Sequence, residues 1–297
     1  MPIHGIYPPM LTPLKEDGLP ERAGFEALVE RAIRGGVHGL FALGSCGEGN
    51  CFSQKMRLEI AAEARLAIAG RLPLLIGVLE PSTGRAVEAI RELMDAGHDS
   101  FVVPSPYYLK PGQGEILRHF EAIARTGCQL VLYNIPQFTG AAMTADTYVQ
   151  LSKIDNVVAI KDSSPDWEAV KRGLMCTQEL GVSFMLGNED VCGEGMLLGG
   201  DGIVPSLANV YPELFVELYE AGKAGNLPEV IRLTAKVMRL RAIVAPEVNW
   251  IGCIKYMAAR KKLCGVAQAL PFHPLDAAKQ ARLDSALGSF EDEEGYT

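Results

Sequence analysis

Short apolar runs alternate with amphipathic stretches along most of this chain. Continuous apolar runs of this length are typical of strands that are buried on both faces, as in parallel sheets. The runs lie at 5–9, 39–43, 73–78, 100–103, 129–133, 157–161, 182–186 and 202–204. Helical periodicity fills the intervals, at 21–35, 54–70, 82–96, 112–126, 144–152, 165–180, 188–199 and 212–222. Strands and helices that alternate in this way predict an α/β fold with a parallel sheet.

Eight strand-then-helix units in series predict a (β/α)8 TIM barrel, which we expect to span 1–224. An open doubly wound sheet is the alternative, but it usually has fewer units and a dinucleotide-binding glycine motif, which this sequence lacks. The remaining residues, 225–297, predict a helical extension that covers the barrel or mediates assembly. Its helices are expected at 227–244, 248–262 and 274–287. The acidic stretch 291–295 is expected to fray.

The composition fits a folded protein with a large core, because 48% of the 297 residues are apolar and 22% are charged. No apolar run approaches the roughly 18 residues of a membrane span. The first residues carry neither a basic start nor an apolar signal core, so we expect a cytoplasmic protein with no membrane partner. The formal net charge of −8 disfavours nucleic acid as a partner. It does not exclude an anionic substrate, because backbone N–H groups bind carboxylates inside acidic proteins.

Cysteine and histidine spacings give no sign of a disulfide framework or a metal site. The seven cysteines are odd in number and contain no C-x-x-C pair. The five histidines, at 4, 38, 98, 119 and 273, never come within metal-ligand spacing of one another. The sequence therefore predicts no metal ion.

Lys161 ends an apolar run and lies at the carboxyl end of the sixth predicted strand. In (β/α)8 barrels the chemistry takes place at the carboxyl ends of the strands. An ammonium group there would be desolvated, and desolvation favours the neutral, nucleophilic amine that Schiff-base enzymes need. The alternative is a lysine whose head group reaches solvent where the strand ends.

A glycine-rich segment, Gly44 to Gly49, follows the second predicted strand. It lacks the endings of a phosphate-binding or dinucleotide-binding loop. Its glycines allow several backbone N–H groups to point into one concavity beside the Ser45 hydroxyl, an arrangement that suits a small carboxylate. A tight turn from strand to helix with no ligand is the alternative.

Three tyrosines stand near the ends of two other predicted strands. Tyr107 and Tyr108 lie in a proline-rich loop after the fourth strand, and Tyr133 ends the fifth. A phenol at the end of a barrel strand can donate and accept a proton if a partner tunes it. Each of the three could instead be a packed aromatic residue with its hydroxyl satisfied.

Together these segments resemble the N-acetylneuraminate lyase and dihydrodipicolinate synthase superfamily, the class I pyruvate-dependent aldolases and lyases. The resemblance covers about residues 5–260. It rests on five segments in chain order: Gly44-Ser45-Cys46-Gly47-Glu48, Pro106-Tyr107-Tyr108, Leu132-Tyr133-Asn134-Ile135-Pro136, Ile160-Lys161-Asp162-Ser163 and Gly199-Gly200-Asp201-Gly202-Ile203-Val204.

The resemblance implies that Lys161 attacks the keto carbon of pyruvate or another 2-oxo acid and forms a protonated imine, with no metal or nucleotide cofactor. Tyr133 would carry the proton, assisted by the Ser45 hydroxyl. A further partner would be Tyr108, which this family supplies from the neighbouring subunit. The resemblance therefore implies a homo-oligomer, either a dimer or a dimer of dimers.

The resemblance also implies where the pyruvate carboxylate lies. It would bind Ser45 and the backbone N–H groups of Cys46 and Gly47, with backbone near Val204 on the other side. Most relatives have a threonine where this chain has Cys46. A thiol is a weak donor, so the carboxylate would depend more on backbone N–H groups here.

Phe138 marks a departure that bears on the substrate. Dihydrodipicolinate synthases have an arginine at this position that binds the carboxylate of aspartate semialdehyde, and a phenyl ring cannot replace a guanidinium. Phe138 therefore favours the lyase and keto-deoxy sugar-acid branch, or an apolar aldehyde. Glu189 and Asp190 match an acidic pair that binds sugar hydroxyls in neuraminate lyases. As an alternative, both could cap the following helix.

The favoured hypothesis is a class I aldolase that releases pyruvate from a 4-hydroxy-2-oxo acid, with a 2-keto-3-deoxy sugar acid as substrate and an aldehyde as second product. Dihydrodipicolinate synthase is the first alternative, and a keto-deoxy acid dehydratase that uses the same imine is the second. A barrel that only binds a 2-oxo acid would be expected to lack the lysine or the tyrosine, and this chain has both Lys161 and Tyr133.

Overall fold

Eight parallel strands form the centre of the structure, which is a computed structural model that we describe for residues 3–295. The strands are β1 (Gly5–Ile6), β2 (Leu40–Ala42), β3 (Leu74–Gly77), β4 (Ser100–Pro104), β5 (Gln129–Asn134), β6 (Val157–Asp162), β7 (Ser183–Leu186) and β8 (Gly202–Ile203). Each strand from β2 to β8 pairs in parallel with the next, and β8 pairs with β1.

The sheet closes into a barrel just beyond the end of β1. The N–H of Phe41 donates to the carbonyl of Pro8 at 3.1 Å, and the N–H of Met10 donates to the carbonyl of Phe41 at 2.8 Å. These bonds join the two outermost strands of the sheet, β1 and β2. The predicted (β/α)8 barrel is therefore confirmed, and the open-sheet alternative is wrong.

Helices connect the strands and continue after the barrel. They are α1 (Arg22–Arg34), α2 (Gln54–Ile68), α3 (Thr83–Asp95), α4 (Gln113–Ala124), α5 (Pro136–Thr139), α6 (Ala145–Leu151), α7 (Trp167–Thr177), α8 (Cys192–Leu197), α9 (Pro212–Lys223), α10 (Leu227–Val244), α11 (Trp250–Arg260) and α12 (Ala277–Glu294). Side-chain caps begin several of them: Ser53 accepts from the N–H of Met56 before α2, and Asp166 accepts from the N–H of Ala169 before α7. Within the described residues, no helix is long and apolar enough to cross a bilayer.

Two local elements differ from the sequence prediction. The segment after β5 forms the one-turn helix α5, which starts at Pro136 and stops where Gly140 takes a left-handed conformation, with φ of 73°. The predicted helix at 188–199 is instead a 3₁₀ turn, Glu189–Val191, followed by α8. Both elements lie directly after barrel strands, and residues of both line the cavity at the mouth of the barrel.

Strand alternation decides which side chains fill the barrel. Val131 and Tyr133 of β5 belong to the cluster inside the barrel, whereas Leu130 and Leu132 pack between the strands and the helices. Successive residues of a strand point to opposite faces, so every second residue near a strand end points into the barrel mouth. This alternation places the side chains described below.

The C-terminal helices pack on the barrel and end in an ordered acidic turn. Helix α10 contacts α8, α9 and the 3₁₀ turn after β7. Helix α12 continues to Glu294, so the expected fraying at 291–295 is wrong. Glu291 accepts from the Tyr211 hydroxyl at 2.7 Å, and Glu294 pairs with Lys236 at 2.6 Å. The acidic residues thus have partners in the barrel and in α10, which a sequence pattern does not reveal.

Candidate active site

Lys161 and Tyr133 are neighbours at the mouth of the barrel. They are the last residues but one of β6 and β5, and they pair in register. The Lys161 amine lies 4.1 Å from the centroid of the Tyr133 ring and 4.7 Å from that of Phe41. Because Lys161 is only 5% exposed, the alternative of a head group in bulk solvent is wrong. The amine is enclosed by aromatic faces at the end of the barrel where chemistry takes place.

A buried hydrogen-bond network fixes the backbone next to both residues. The Asp162 carboxylate accepts from the Tyr148 hydroxyl at 2.7 Å, from the Asn134 amide at 3.2 Å and from the Ser164 N–H at 2.8 Å. Burial raises the pKa of Asp162, and these hydrogen bonds oppose that effect. Asn134 follows Tyr133 and Asp162 follows Lys161, so the network ties the two strand ends together. Sequence analysis did not assign these network residues a role.

A cavity of about 350 Å³ opens above the lysine. Its lining includes most of the predicted site residues: Ser45, Cys46, Tyr133, Phe138, Lys161, Glu189 and Val204. Side chains that the sequence analysis did not single out as site residues also line it: Gln137, Ser163, Asn188, Ser206, Arg241 and Trp250. A second cavity of about 490 Å³ shares Ser45, Tyr133, Phe138 and Trp250 with the first, so the two form one continuous entrance.

The loop after β2 contributes Ser45 and Cys46 to the lining of this cavity, whereas the predicted Gly47 lines neither cavity. Its turn is closed by bonds from the N–H of Glu48 to the Ser45 carbonyl and from the N–H of Gly49 to the Gly44 carbonyl, each 3.1 Å long. A Cβ on Gly47 would lie 2.8 Å from the Met10 carbonyl oxygen, so only glycine fits there. Within residues 3–295 nothing accepts a hydrogen bond from the N–H of Cys46 or Gly47.

The Cys46 thiol is buried, and its surroundings favour the neutral thiol over the thiolate. Burial raises its pKa, and the charges of Glu189 and Glu48 raise it further. A thiolate nucleophile is therefore disfavoured. The thiol contributes volume and a weak donor, as the sequence suggested.

A buried ion pair between Lys255 and Glu48 stabilises the loop after β2. Lys255 of α11 lies 2.5 Å from Glu48, and neither side chain is exposed. Glu48 also accepts from the N–H of Ala269 at 2.7 Å, and Lys255 donates to the carbonyl of Ala267. Glu48 itself has a left-handed backbone, with φ of 55°. The extension thus fixes the conformation of a barrel loop.

Charged side chains form the wall of the cavity after β7. Glu189 is 4% exposed and accepts from the Ser206 hydroxyl and the Leu207 N–H, each at 3.0 Å. Burial raises its pKa, and the nearby Arg241 guanidinium opposes that rise. Asn188, whose side chain accepts from the N–H of Asp190, caps the 3₁₀ turn. Helix capping therefore does not explain Glu189.

Three further predicted residues have different placements. Phe138 lies on α5 at the cavity mouth and is 59% exposed. Val204 lines the cavity, but its N–H already donates to the Leu186 carbonyl at 2.8 Å, so it does not supply a free donor. Tyr108 is 91% exposed, has φ of 75° and lines neither of the two cavities. The chain by itself does not bring Tyr108 to the site.

Comparison with known proteins gives a consistent family match. Residues 2–289 match the family described as the dihydrodipicolinate synthetase family. The probable 2-dehydro-3-deoxy-D-pentonate aldolase YjhH of Escherichia coli K12 is 34% identical over 256 residues, 85% of each chain. A 4-hydroxy-tetrahydrodipicolinate synthase of Hyphomonas neptunium is 32% identical over 287 residues, covering 96% of this chain and 97% of that protein.

Solved structures agree with this match. A dihydrodipicolinate synthase of Bacteroides thetaiotaomicron superposes with a TM-score of 0.92 at 32% identity, covering 97% of this chain and 99% of that one. The prophage protein YagE of E. coli K12, solved in complex with pyruvate, also gives a TM-score of 0.92, at 27% identity and the same coverage. Aldolases and synthases are both among the similar proteins, so similarity alone does not choose between them.

Proposed function

Since this chain belongs to the dihydrodipicolinate synthetase family, we propose that it releases pyruvate from a 2-keto-3-deoxy sugar acid through an imine on Lys161. The family consists of lyases that make or break a carbon–carbon bond with pyruvate. The observation that carries the proposal is the enclosed Lys161 amine, 4.1 Å from the Tyr133 ring centroid and in a cavity that Ser45 and Cys46 also line. In this proposal the barrel of 1–224 supplies the reacting groups, and the extension of 225–297 supplies one wall.

The chemistry starts at the keto carbon. The Lys161 amine attacks C2 of the substrate, and the resulting carbinolamine loses water to give a protonated imine. A base removes the proton of the C4 hydroxyl, the C3–C4 bond breaks, and its electron pair moves into the enamine. The aldehyde leaves, C3 gains a proton, and water hydrolyses the imine to release pyruvate. The steps need no metal ion, so a chelator should leave the rate unchanged.

Two groups of residues assist these steps in our proposal. Tyr133 carries the proton to and from the reacting hydroxyl, with Ser45 beside it in the same cavity. The pyruvate carboxylate accepts hydrogen bonds from the unpaired N–H groups of Cys46 and Gly47. Placing the carboxylate there directs the keto carbon toward the lysine.

We also propose that Tyr108 completes the site of a neighbouring copy in a dimer or dimer of dimers. In one chain this side chain is almost fully exposed and has a left-handed backbone conformation. Such a conformation costs free energy for a non-glycine residue and persists where the surroundings require it. A neighbouring subunit would provide those surroundings.

The cavity supports a hydroxylated aldehyde as the second product. Glu189 and Asp190 offer carboxylate oxygens on the wall after β7, and Phe138 offers no positive charge at the mouth. Carboxylates accept hydrogen bonds from sugar hydroxyls, whereas an acidic aldehyde requires a cation.

Dihydrodipicolinate synthase remains the second candidate because the cavity contains one cation, Arg241, that sequence analysis did not place there. That guanidinium, however, already contacts both Asp190 and Glu189. The two candidates differ in the aldehyde they use, so a panel of acceptors with aspartate semialdehyde and glycolaldehyde separates them. If Phe138 faces the aldehyde, Phe138→Arg should improve the use of acidic acceptors relative to neutral ones.

The direct test of the imine is borohydride trapping with pyruvate. The expected result is one pyruvate-derived adduct per chain, mapped to Lys161 by peptide mass, with no adduct in Lys161→Ala. Product analysis with a sugar acid then distinguishes pyruvate release from water loss. Folded protein that forms no adduct would refute the proposed function.

A further inference from the structure

The wall of the cavity after β7 is held by a side chain from the C-terminal extension. Arg241 of α10 lies with Nε 3.1 Å from one carboxylate oxygen of Asp190 and with Nη2 3.3 Å from the other. Its Nη1 lies 3.4 Å from Oε2 of Glu189. A guanidinium that contacts both oxygens of one carboxylate fixes its orientation as well as its position. All three side chains line the cavity that contains Lys161.

One carboxylate oxygen on this wall lacks a hydrogen bond. Oε1 of Glu189 accepts from Ser206 and Leu207, but the buried Oε2 accepts none from the described residues. The Nη1 atom of Arg241, 3.4 Å away, supplies the positive charge that compensates burial of this oxygen. Without Arg241 the buried carboxylate would lose that compensating charge, and its position on the wall would no longer be fixed.

The charges on the wall favour a hydroxyl donor over an acid. One arginine faces two carboxylates, so the wall carries a charge of −1 when both are ionised and 0 when Glu189 is protonated. In neither state is there a surplus positive charge for a carboxylate ligand. The positive charge of Arg241 is already balanced by the carboxylates that it contacts.

We propose that Arg241 is a specificity-determining residue, which orients Glu189 and Asp190 to accept hydrogen bonds from hydroxyl groups on the aldehyde half of the substrate. The inference rests on the proposed aldolase function and adds to it the residue that positions the two acidic side chains. The substrates are 4-hydroxy-2-oxo acids that carry at least one hydroxyl beyond C4. Arg241 itself is a positioning residue and takes no part in bond breaking.

Two substrates that differ by one hydroxyl group test this directly. 2-Dehydro-3-deoxypentonate has hydroxyls on C4 and C5, whereas 4-hydroxy-2-oxopentanoate has only the first. Cleavage of either gives pyruvate, with glycolaldehyde from one and acetaldehyde from the other. The measurement is kcat/KM for pyruvate release from each, in wild type, Arg241→Met and Arg241→Lys.

Arg239 provides a matched control on the same helix. It pairs with Glu293 and Glu294 of α12 and does not line the cavity. Arg239→Met removes an ion-paired arginine from α10 without changing the wall. It should therefore leave the ratio of the two kcat/KM values unchanged.

Wild type should prefer the dihydroxy acid, and Arg241→Met should reduce kcat/KM for that substrate by about 10- to 100-fold, the range for a hydrogen bond to a charged group. The monohydroxy acid should change by less than about threefold, since it offers the wall no hydroxyl. Arg241→Lys should recover only part of the preference, because an ammonium cannot contact both oxygens of Asp190 in the same way. Borohydride trapping with pyruvate should be the same in all variants.

Equal losses on both substrates, or no loss on either, would overturn the inference. So would wild type that forms the pyruvate adduct but shows no preference for the dihydroxy acid, whether it cleaves both or neither. In those cases the Schiff-base proposal stands. If wild type forms no adduct, the proposed function is refuted, and the inference that rests on it is refuted as well.

Discussion

Removing the buried charge of Lys255 should destabilise the protein and loosen the carboxylate-binding loop. Lys255 and Glu48 are both fully buried and lie 2.5 Å apart, so Lys255→Met leaves the Glu48 carboxylate without its cation. Breaking a buried pair from one side typically costs about 3–5 kcal/mol, because an uncompensated charge stays in the interior. Among the described residues, only the Ala269 N–H would then donate a hydrogen bond to that carboxylate.

Removing both charges should cost less than this. In Lys255→Met/Glu48→Gln no charge is left in the interior, and the glutamine oxygen can still accept from the Ala269 N–H. Replacing a buried pair on both sides is often close to neutral. The double variant should therefore be more stable than the Lys255→Met single variant by at least about 1 kcal/mol, with a coupling energy of up to about 3 kcal/mol.

The assay is urea unfolding of wild type, both single variants and the double variant, with KM for pyruvate as a second readout. The loss in Lys255→Met corresponds to a fall in Tm on the order of 10 °C. KM for pyruvate should rise in that variant, since Glu48 closes the turn that presents the N–H groups of Cys46 and Gly47. Lys171→Met, which removes an exposed partner of Glu168, is the control and should cost no more than about 1 kcal/mol.

A loss below about 1 kcal/mol in Lys255→Met would refute the reasoning, because it would mean that the pair makes no larger contribution than a surface ion pair. A double variant that loses the sum of both single losses would also refute it, since the two side chains would then act independently.

Three other predictions concern the site. Tyr133→Phe should slow turnover by roughly 10²–10⁴, as expected for a general acid–base, while borohydride still traps pyruvate on the lysine; an undiminished rate would remove Tyr133 from the mechanism. The Lys161→Ala and Tyr108→Phe variants should each be impaired alone but should regain activity when they are co-expressed. A mixed dimer has one site in which both side chains are intact, so about a quarter of all sites are complete. If co-expression restores no activity, Tyr108 is not shared between subunits. Cys46 should resist alkylation by iodoacetamide at pH 8 because burial raises the pKa of its thiol, whereas the exposed Cys176 should react. Peptide mass spectra measure the labelling of both cysteines. Fast labelling of Cys46 in folded protein would contradict the prediction, since it would show that the thiol is accessible.

Much of the fold could be predicted from the local pattern of apolar and polar residues in the sequence. Each of the eight predicted strands overlaps an observed one, because an apolar run between helices has few ways to be buried other than as a strand of a parallel sheet. Of the misses, one had a local cause and the other a distant one. The short helix α5 depends on Gly140 in a left-handed conformation, and the end of α12 depends on Tyr211 and Lys236, which lie far away in sequence.

The structure brings together several of the predicted site residues that follow strands. Ser45, Tyr133 and Lys161 come from three different strand ends and share one cavity, since a closed barrel brings all such ends to one rim. Tyr108 also follows a strand, but it is exposed and does not line the cavity of its own chain. Its proposed role depends on a second copy.

The sequence by itself determined the barrel, the strand that carries Lys161 near its carboxyl end and the glycine-rich loop after β2, because these depend on periodicity and on the order of neighbouring residues. Only the tertiary structure decided that two residues of the extension, Arg241 and Lys255, contact the cavity wall and the loop after β2. Arg241 reaches Asp190 across 51 positions of the chain, and the Ala269 N–H reaches Glu48 across 221. No local pattern encodes such contacts, because they form only when closure of the barrel and packing of α10 and α11 bring distant segments together.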